Sequence, residues 1–379
     1  MSTILFATID AGGNVPPALA IACELKSRGH RILFLGHAGQ EDRIRRSGFE
    51  FAAYSTGGRW NRTERTSSAR VVADFVGAAT SKRMADDLVR LARAEDVDLT
   101  VVDCMLPRMI GAAATLASPS AVIFHTFYAY WNGPWARGPV ARMAQLRGVN
   151  PRTIWAAADL ELVAADAALD PAGVTASPRR IWTGNVEEAS VASDPVSPRP
   201  KVLVSLSTTW FPGQVETYRR VVAALRGLPV DAIVTTGGMA TTAELAPPPN
   251  VEVVEFADHA AILPTVSLVV CHGGHSTTMK AVASGVPLLV IPMHPLMDQP
   301  MIGKAIARAG LGLTLKKSAK PAAIAEAMTT ILADPSFAAA AADAATRVRR
   351  ASGVAVAADA LLLLLTARAP SPVRDPAAG

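Results

Sequence analysis

The stretch LVVCHGGHSTTMKAVASGVP, residues 268–287, decides the fold class because it joins an apolar strand to a helix through a glycine turn. Its first four residues are apolar, and the residues after the two glycines have helical composition. Similar short apolar runs recur along the chain and alternate with longer segments of helical period. This alternation predicts an α/β protein whose parallel sheets are covered by helices on both faces. The predicted strands are residues 3–9, 31–36, 99–103, 120–125, 201–206, 231–235, 251–254, 268–271 and 287–291.

The length of 379 residues favours two domains, each large enough for its own core. The segment ASDPVSPRP, at the heart of residues 190–200, is rich in Pro, Ser and Asp and is predicted to be a linker. We therefore expect one Rossmann-like domain over residues 1–190, a linker over 191–200 and a second Rossmann-like domain over 201–355. Residues 356–379 are expected to form a C-terminal helix that crosses back to the first domain, followed by a disordered tail.

Composition excludes several classes of protein. Apolar residues make up 50% of the chain and charged residues 18%, so the chain has too much apolar surface to stay disordered. The net charge of +5 is too small to imply a nucleic-acid partner. Three cysteines lie far apart, which favours a reducing cytoplasm. The apolar run at residues 360–365 is far shorter than a bilayer span, so no integral membrane segment is expected.

The glycine turn carries the clearest chemical signal. Glycines let the backbone approach a ligand closely, and free amides at a helix start favour a phosphate group. Hydroxyls of Ser276 and Thr277, with the rings of His272 and His275, add hydrogen-bonding groups at the same place. The structural alternative is a tight turn in which the two hydroxyls only cap the helix.

Two other kinds of site are weaker candidates at this turn. A metal site is disfavoured because His272 and His275 straddle the turn instead of sharing a helix face. A serine nucleophile at Ser276 is disfavoured because Thr278 stands where that motif requires glycine. The phosphate-site reading requires neither a metal ion nor an organic cofactor.

Two motifs, HGGHST at residues 272–277 and MHPLMDQP at 293–300, together resemble bacterial family 1 glycosyltransferases of the natural-product branch. The resemblance covers most of the chain. It implies the GT-B fold, in which two doubly wound Rossmann-like domains face each other across a cleft. It also implies an inverting sugar transfer from a nucleotide-sugar co-substrate to a small hydrophobic acceptor, with no cofactor. By matching position, the implied donor-binding residues are Ser207, Thr208, Phe256, Ala257, His259, His272, Gly273, Gly274, His275, Ser276, Thr277, Asp298 and Gln299.

Each group of matched residues has an implied task. The turn residues would hold the diphosphate with Ser207 and Thr208, while Asp298 and Gln299 would hold the sugar. Phe256 and Ala257 would lie by the base and His259 toward the ribose. The structural alternatives are a core role for Phe256 and a helix cap for Asp298, followed by Pro300. Amides, hydroxyls and an imidazolium ion can stabilise the leaving phosphate, so no metal requirement is expected.

The first loop, TIDAGGNVPP at residues 8–17, departs from the family pattern. The family usually carries a histidine base there, or in some members an aspartate, and this chain has Asn14. An amide cannot accept a proton at neutral pH. The chain offers Asp10, Asp103 and His125 as substitutes, of which Asp10 is slightly preferred as the nearest in sequence. An acceptor acidic enough to need little help is the other explanation.

Aromatic residues are only 5% of the chain but concentrate in IFHTFYAYWNGPW, residues 123–135. An aromatic wall suits a flat, hydrophobic acceptor, whereas ordinary packing under a loop is the alternative. The polar stretch at residues 57–70 is predicted to be a mobile loop beside the cleft. The predicted acceptor-binding residues are Phe124, His125, Phe127 and Trp131.

Lys280 bears on the choice of nucleotide. Plant-type members of the family hold both ribose hydroxyls with a glutamate at this position, and lysine cannot do so. We therefore expect a dTDP-sugar donor, with a UDP-sugar as the second choice.

Two other functions remain open: a sugar-nucleotide-binding relative without transferase activity, and a sugar-nucleotide epimerase. A homodimer is considered among the partners, whereas a nucleic acid is not.

Overall fold

The computed structural model describes residues 1–55, 63–65, 67–175, 177–187 and 199–367. Its strands form two sheets, in the orders β3-β2-β1-β4-β5-β6-β7 and β10-β9-β8-β11-β12-β13. Every pairing in both sheets is parallel. The strands are β1 (Thr3–Ala7), β2 (Arg31–Gly36), β3 (Glu50–Ala53), β4 (Leu99–Asp103), β5 (Ser120–Phe124), β6 (Leu160–Val163), β7 (Arg180–Trp182), β8 (Lys201–Ser205), β9 (Asp231–Thr235), β10 (Val251–Val254), β11 (Leu268–Cys271), β12 (Leu288–Val290) and β13 (Gly312–Thr314).

Helices connect the strands and cover the sheets. The first helix, Val15–Ser27, carries prolines at its second and third positions and ends two residues before Gly29, whose φ is +88°. The helices are α1 (Val15–Ser27), α2 (Glu41–Arg46), α3 (Ser68–Thr80), α4 (Lys82–Ala94), α5 (Pro107–Ala113), α6 (Tyr128–Tyr130), α7 (Pro139–Leu146), α8 (Pro151–Trp155), α9 (Gln214–Leu225), α10 (Thr242–Leu245), α11 (His259–Ile262), α12 (His275–Ala283), α13 (Gln299–Arg308), α14 (Pro321–Ala333), α15 (Pro335–Arg350) and α16 (Gly353–Ala367).

The predicted α/β fold class is confirmed. The packing of the core explains why the central strands could be predicted from the sequence. In β1, Leu5 and Ala7 belong to one buried cluster while Ile4 and Phe6 belong to another. Both faces of the strand are therefore apolar, as expected of a parallel sheet between two helix layers. The first of these clusters also includes Leu203 of β8, so apolar packing continues from one half of the chain into the other.

The prediction omitted four strands, β3, β6, β7 and β13. Three of them lie at sheet edges, where half-buried residues break the apolar run. The fourth, β6, is buried but carries Glu161 in its centre. That carboxylate forms an ion pair of 2.6 Å with Arg180 of β7. A buried charge with its partner on the next strand gives no local signal of burial.

The order of strands reverses on either side of β1 and of β8. Open parallel sheets bind ligands beyond the carboxyl ends of the strands at such reversals. The loops that follow β1, β4 and β5 in the first half, and β8 to β12 in the second, are therefore the ones that can form a site.

The chain ends in two helices with different partners. Helix α15 packs on α12 of the second half, and α16 packs on α1 of the first. The break between them lies at Ser352, whose φ is +43°. By length and composition alone, the stretch Pro335–Ala367 could cross a membrane, which the sequence analysis did not anticipate because it considered only residues 360–365. Here Ala345 and Leu361 are buried against the protein.

Three of the sequence predictions fall largely outside the described residues. These are most of the linker over 191–200, the tail beyond residue 367, and the part of the loop at 57–70 that precedes Thr63.

Candidate active site

A cavity of about 860 Å³ lies between the carboxyl ends of the two sheets. One wall comes from the first half, with loops after β1, β4 and β5 and part of α3. The opposite wall comes from the second half, with loops after β8 to β12. The volume is within the range of sites that bind small molecules. The cavity is thus the place where the predicted donor and acceptor residues can meet.

The glycine turn requires glycine at both positions for steric reasons. Gly273 has a φ of +80°, and a Cβ there would lie 2.8 Å from the Val290 side chain. A Cβ on Gly274 would lie 2.4 Å from Nε2 of His272. Helix α12 starts immediately after this turn with Gly274 at its N-cap. The first amides of the helix have no partner within it, so they are available to an anion in the cavity.

His272 and His275 are buried and electrically neutral. Burial lowers the pKa of His272 to about 4 and that of His275 to about 3. The expectation that an imidazolium ion helps to stabilise the leaving phosphate is therefore wrong for these two residues. Both rings are neutral hydrogen-bonding groups near pH 7. Among the described residues, Nδ1 of His272 and both ring nitrogens of His275 lack hydrogen-bond partners. Both residues contribute to the cavity wall.

The loop after β8 forms another part of the donor wall. Ser207 has a φ of +100°, a region that residues with a side chain rarely adopt. Its Oγ accepts a hydrogen bond of 2.9 Å from the backbone N–H of Thr209. Ser207 and Thr208 both line the cavity. Strained backbone of this kind concentrates at ligand sites, because the surrounding structure must hold it.

Phe256, Ala257 and His259 line the cavity from the segment that follows β10. The Phe256 side chain is 66% exposed, so it is not part of the core. An exposed aromatic ring on a cavity wall is suited to stacking on a planar group. Nε2 of His259 lies 3.4 Å from the Thr235 hydroxyl, and burial lowers the pKa of this histidine.

Asp298 occupies the N-cap position of α13, yet its carboxylate makes no capping hydrogen bond. The carboxylate faces the cavity, and burial raises its pKa. Gln299 is nearly inaccessible. Its Oε1 accepts hydrogen bonds from the backbone N–H groups of Met293, at 2.7 Å, and His294, at 3.1 Å. Gln299 thus holds the preceding loop, and Asp298 is the residue of the pair with the more accessible side chain.

Of the predicted acceptor residues, His125 and Trp131 line the cavity. Phe124, the last residue of β5, is buried in the core against Tyr128 and Trp155. Phe127 is buried where the two halves meet, with its ring edge-on to His275 at 5.9 Å. These two phenylalanines are therefore not on the cavity surface in this structure.

Three apolar wall residues were not anticipated: Val71 and Phe75 of α3, and Met105 in the loop after β4. The apolar period of α3 is the only local signal for the first two, and it does not say what the helix faces. Tyr130 and Trp135, from the aromatic run at residues 123–135, also line the cavity.

Of the two candidate residues in the first loop, Asn14 lines the cavity and Asp10 does not. The Nδ2 of Asn14 donates hydrogen bonds of 2.7 Å to the Ile9 carbonyl and to Oδ2 of Asp103. Asp103 is buried, and its Oδ1 accepts a 2.9 Å hydrogen bond from the Met105 N–H. Asp10 is not part of the cavity wall, and its charge acts on His37 instead.

Asp103, Cys104 and His125 form the one group of potential metal ligands among the described residues, with ligand atoms within 4.8 Å of one another. The chemistry of these groups does not favour a metal. Burial raises the pKa of the Cys104 thiol well above its usual value, so the thiol stays protonated. Both oxygens of Asp103 already accept hydrogen bonds. We therefore do not assign them as metal ligands.

Two parallel sheets that face each other across a cleft, with the glycine turn on one wall, define the GT-B fold. Residues 219–356 match the family model described as the C-terminal domain of erythromycin biosynthesis protein CIII-like proteins. The crystal structure of a calicheamicin glycosyltransferase superimposes with a TM-score of 0.79 at 23% identity, covering 98% of this chain and 100% of that one. Glycosyltransferase VinC in complex with dTDP has a TM-score of 0.72 at 18% identity, covering 96% of this chain and all of that one.

Curated sequences give the same relationship. The elloramycin glycosyltransferase ElmGT of Streptomyces olivaceus is 37% identical over 165 residues, 42% of this chain and 40% of that protein. The demethyllactenocin mycarosyltransferase of Streptomyces fradiae is 27% identical over 354 residues, 78% of this chain and 72% of that protein. The alignment thus spans less than half of the first relative. The chain is therefore similar in sequence and in fold to these glycosyltransferases of antibiotic pathways.

Proposed function

We propose that the protein transfers a sugar from a nucleoside diphosphate to a hydroxyl group of a small hydrophobic natural product. The observation that carries this proposal is the single cavity in which the glycine turn of α12 faces an aromatic wall of the other half. A charged diphosphate suits the first surface, and an apolar acceptor suits the second. Both substrates would be held together away from bulk water, as the transfer requires.

The chain's own groups can stabilise the leaving diphosphate. When the bond between the anomeric carbon and the phosphate oxygen breaks, negative charge grows on that oxygen. The first amides of α12, the hydroxyls of Ser276 and Thr277, and the neutral ring of His275 lie on the same part of the wall. Such fixed donors need little reorganisation as the charge develops. The carboxylate of Asp298 is proposed to bind hydroxyls of the sugar.

The opposed walls favour inversion at the anomeric carbon. If the acceptor lies against the first half and the diphosphate against the second, the hydroxyl attacks from the side opposite the leaving group. One direct displacement then inverts the configuration of that carbon. The stereochemistry of the product, read by NMR coupling constants, tests this step.

We propose a dTDP-sugar as the preferred donor and a UDP-sugar as the second choice. Lys280 lines the cavity, and its Nζ lies 3.7 Å from Oε2 of the buried Glu187. An ammonium group at this position cannot accept hydrogen bonds from two ribose hydroxyls. VinC, which shares the fold, was crystallised with dTDP. Calorimetric titration should give tighter binding of dTDP than of UDP, and the reverse order would contradict the donor assignment.

The decisive experiment is a screen of dTDP- and UDP-sugars against aromatic and polyketide acceptors, read as a mass increase equal to the sugar. We expect transfer with at least one pair, and the same rate in the presence of a chelator. Conversion of the donor without acceptor would instead indicate an epimerase. Nucleotide binding with no turnover would indicate a sugar-nucleotide-binding relative.

We propose the cytoplasm as the compartment in which the protein acts, because its proposed nucleotide-sugar substrates are available there.

A further inference from the structure

We propose that His125 is the general base that takes the proton of the acceptor hydroxyl, and that Asp103 and Asn14 position it. This inference rests on the proposed transferase function and concerns the same cavity. The proposed base follows β5 directly, on a different strand end from the first loop that carries Asn14.

The carboxylate of Asp103 is positioned and cannot itself reach the acceptor. Its side chain is only 2% exposed, and it does not line the cavity. The Met105 N–H and the Asn14 amide hold its two oxygens at 2.9 Å and 2.7 Å. Oδ2 also lies 3.5 Å from Nδ1 of His125. Asp103 is thus placed to orient the imidazole and to stabilise it once it is protonated.

The His125 ring is held so that its other nitrogen is free. The edge of the ring meets Trp131 with the ring centres 5.2 Å apart, and Sγ of Cys104 lies 3.9 Å from Nδ1. No hydrogen bond joins Nε2 to any residue that the structure describes. His125 also contributes to the cavity wall. An imidazole with Nδ1 turned to a carboxylate presents Nε2 as its proton acceptor.

His125 lines the cavity and is close enough to two donor-wall residues, Asp298 and His275, to influence the pKa of each when it is protonated. The titratable groups that face it are Asp103, Cys104, His275 and Asp298. With the acceptor against the first half and the donor against the second, a base at this position would be near the attacking hydroxyl.

Asn14 is explained by the same arrangement. Its amide donates to the Ile9 carbonyl and to Asp103, while its Oδ1 accepts a 3.1 Å hydrogen bond from the Ala11 N–H. These three bonds fix the first loop and keep one oxygen of Asp103 in place. An asparagine does so without gaining or losing a proton, so it leaves the proton transfer to His125.

Proton transfer to His125 accompanies the displacement at the anomeric carbon. Nε2 of His125 takes the proton from the acceptor hydroxyl, and the acceptor oxygen forms a bond to the anomeric carbon. The bond between that carbon and the diphosphate oxygen breaks, and the nucleoside diphosphate leaves with the electron pair. The imidazolium, paired with Asp103, then releases its proton to solvent through the cavity.

The test compares His125→Gln with the matched control His30→Gln. His30 lies just before β2, at the amino ends of the strands and so away from the cavity. With an ordinary hydroxyl acceptor, we expect kcat of His125→Gln to fall about 100-fold or more, as for loss of a general base. The KM for the donor and the calorimetric affinity for dTDP should stay unchanged. His30→Gln should keep the wild-type rate.

Two further readouts separate a base from a structural residue. A phenol that is already ionised at the assay pH needs no base, so it should restore the His125→Gln rate to within about tenfold of wild type. The fall in wild-type kcat/KM at acidic pH should disappear in the variant. Asp103→Asn should lower kcat in the same direction, with the same rescue by the ionised phenol.

The activity of the wild type separates a failure of the proposed function from a failure of the His125 assignment. If the wild type transfers no sugar with any donor and acceptor, the proposed function itself fails. If the wild type is active and His125→Gln retains its kcat, His125 is not the base. If Asp10→Asn abolishes transfer and an ionised phenol rescues it, the base is Asp10 and the inference is overturned.

Discussion

At the scale of single residues, His272 and His275 show how burial changes the chemistry that a motif suggests. Beside the proposed diphosphate site, the two positions suggest positively charged rings. Their burial instead lowers both pKa values far below that of a free imidazole, so the rings are neutral. Under the proposed function they would hold the diphosphate by hydrogen bonds, and the positive electrostatic contribution would come from the helix start and Lys280.

These two pKa values predict how stability depends on pH. Above about pH 6.5 both rings are neutral in the folded and unfolded states, so they add no dependence. Below that pH the unfolded chain takes up protons that the folded protein refuses. Each ring should therefore lower the free energy of unfolding by roughly 1.4 kcal/mol per pH unit, until its folded pKa, about 4 for His272 and about 3 for His275, is reached.

Urea unfolding of the wild type and of His275→Gln, at about pH 7 and about pH 5, measures this contribution. The variant should lose less stability than the wild type between the two pH values. An equal loss in both proteins would show that His275 does not titrate as its burial requires.

At the scale of elements, the turn between β11 and α12 packs tightly against β12 and the His272 ring. Val290 of β12 leaves no room for a side chain on Gly273, and the His272 ring leaves none on Gly274. The close approach brings the start of α12 to the cavity wall. A larger residue in the turn must push either the ring or the helix start away from a bound phosphate.

We expect Gly274→Ala to weaken dTDP binding at least about tenfold, because the added Cβ would lie 2.4 Å from Nε2 of His272. Gly227→Ala is the matched control in the same half, since a Cβ there meets nothing within 4 Å. Calorimetry gives the affinities, and circular dichroism shows that both variants fold. Equal affinities in the two variants would refute the steric account of the turn.

At the scale of the whole molecule, the C-terminal helices tie the two halves together. Helix α15 lies on the second half and α16 on the first, so the chain crosses between them twice, once in each direction. Leu361 of α16 is fully buried in the core of the first half, whereas Leu363 is 70% exposed. The apolar composition of this helix therefore serves packing on one face only.

Leu361→Ala should lower the free energy of unfolding by about 2–5 kcal/mol, because it leaves a cavity in that core. Leu363→Ala, two residues away in the same helix, should change it by less than about 0.5 kcal/mol. Chemical denaturation of the two variants measures both effects. Similar losses in both would mean that α16 does not pack on the first half in solution.

The alternation of strands and helices was predictable because it is encoded by local periodicity. The bounds of β2, β4, β9, β10 and β11 agree with those read from the sequence. The edge strands were not predictable, since they are short and their burial depends on neighbours distant in the chain. The glycine turn was also readable from the sequence, because its backbone conformation and the following helix start are local features.

By itself, then, the sequence determined the fold class and the residues of the turn that faces the cavity. Only the tertiary structure decided which side chains meet there. Asn14 precedes α1, Asp103 ends β4 and His125 follows β5, and the three come together where parallel strands end. Nothing local distinguishes the buried Phe124 from the cavity-lining Trp131, or Asp10 from Asp103. Those differences arise from packing between distant segments and between the two halves, which periodicity along one segment does not record.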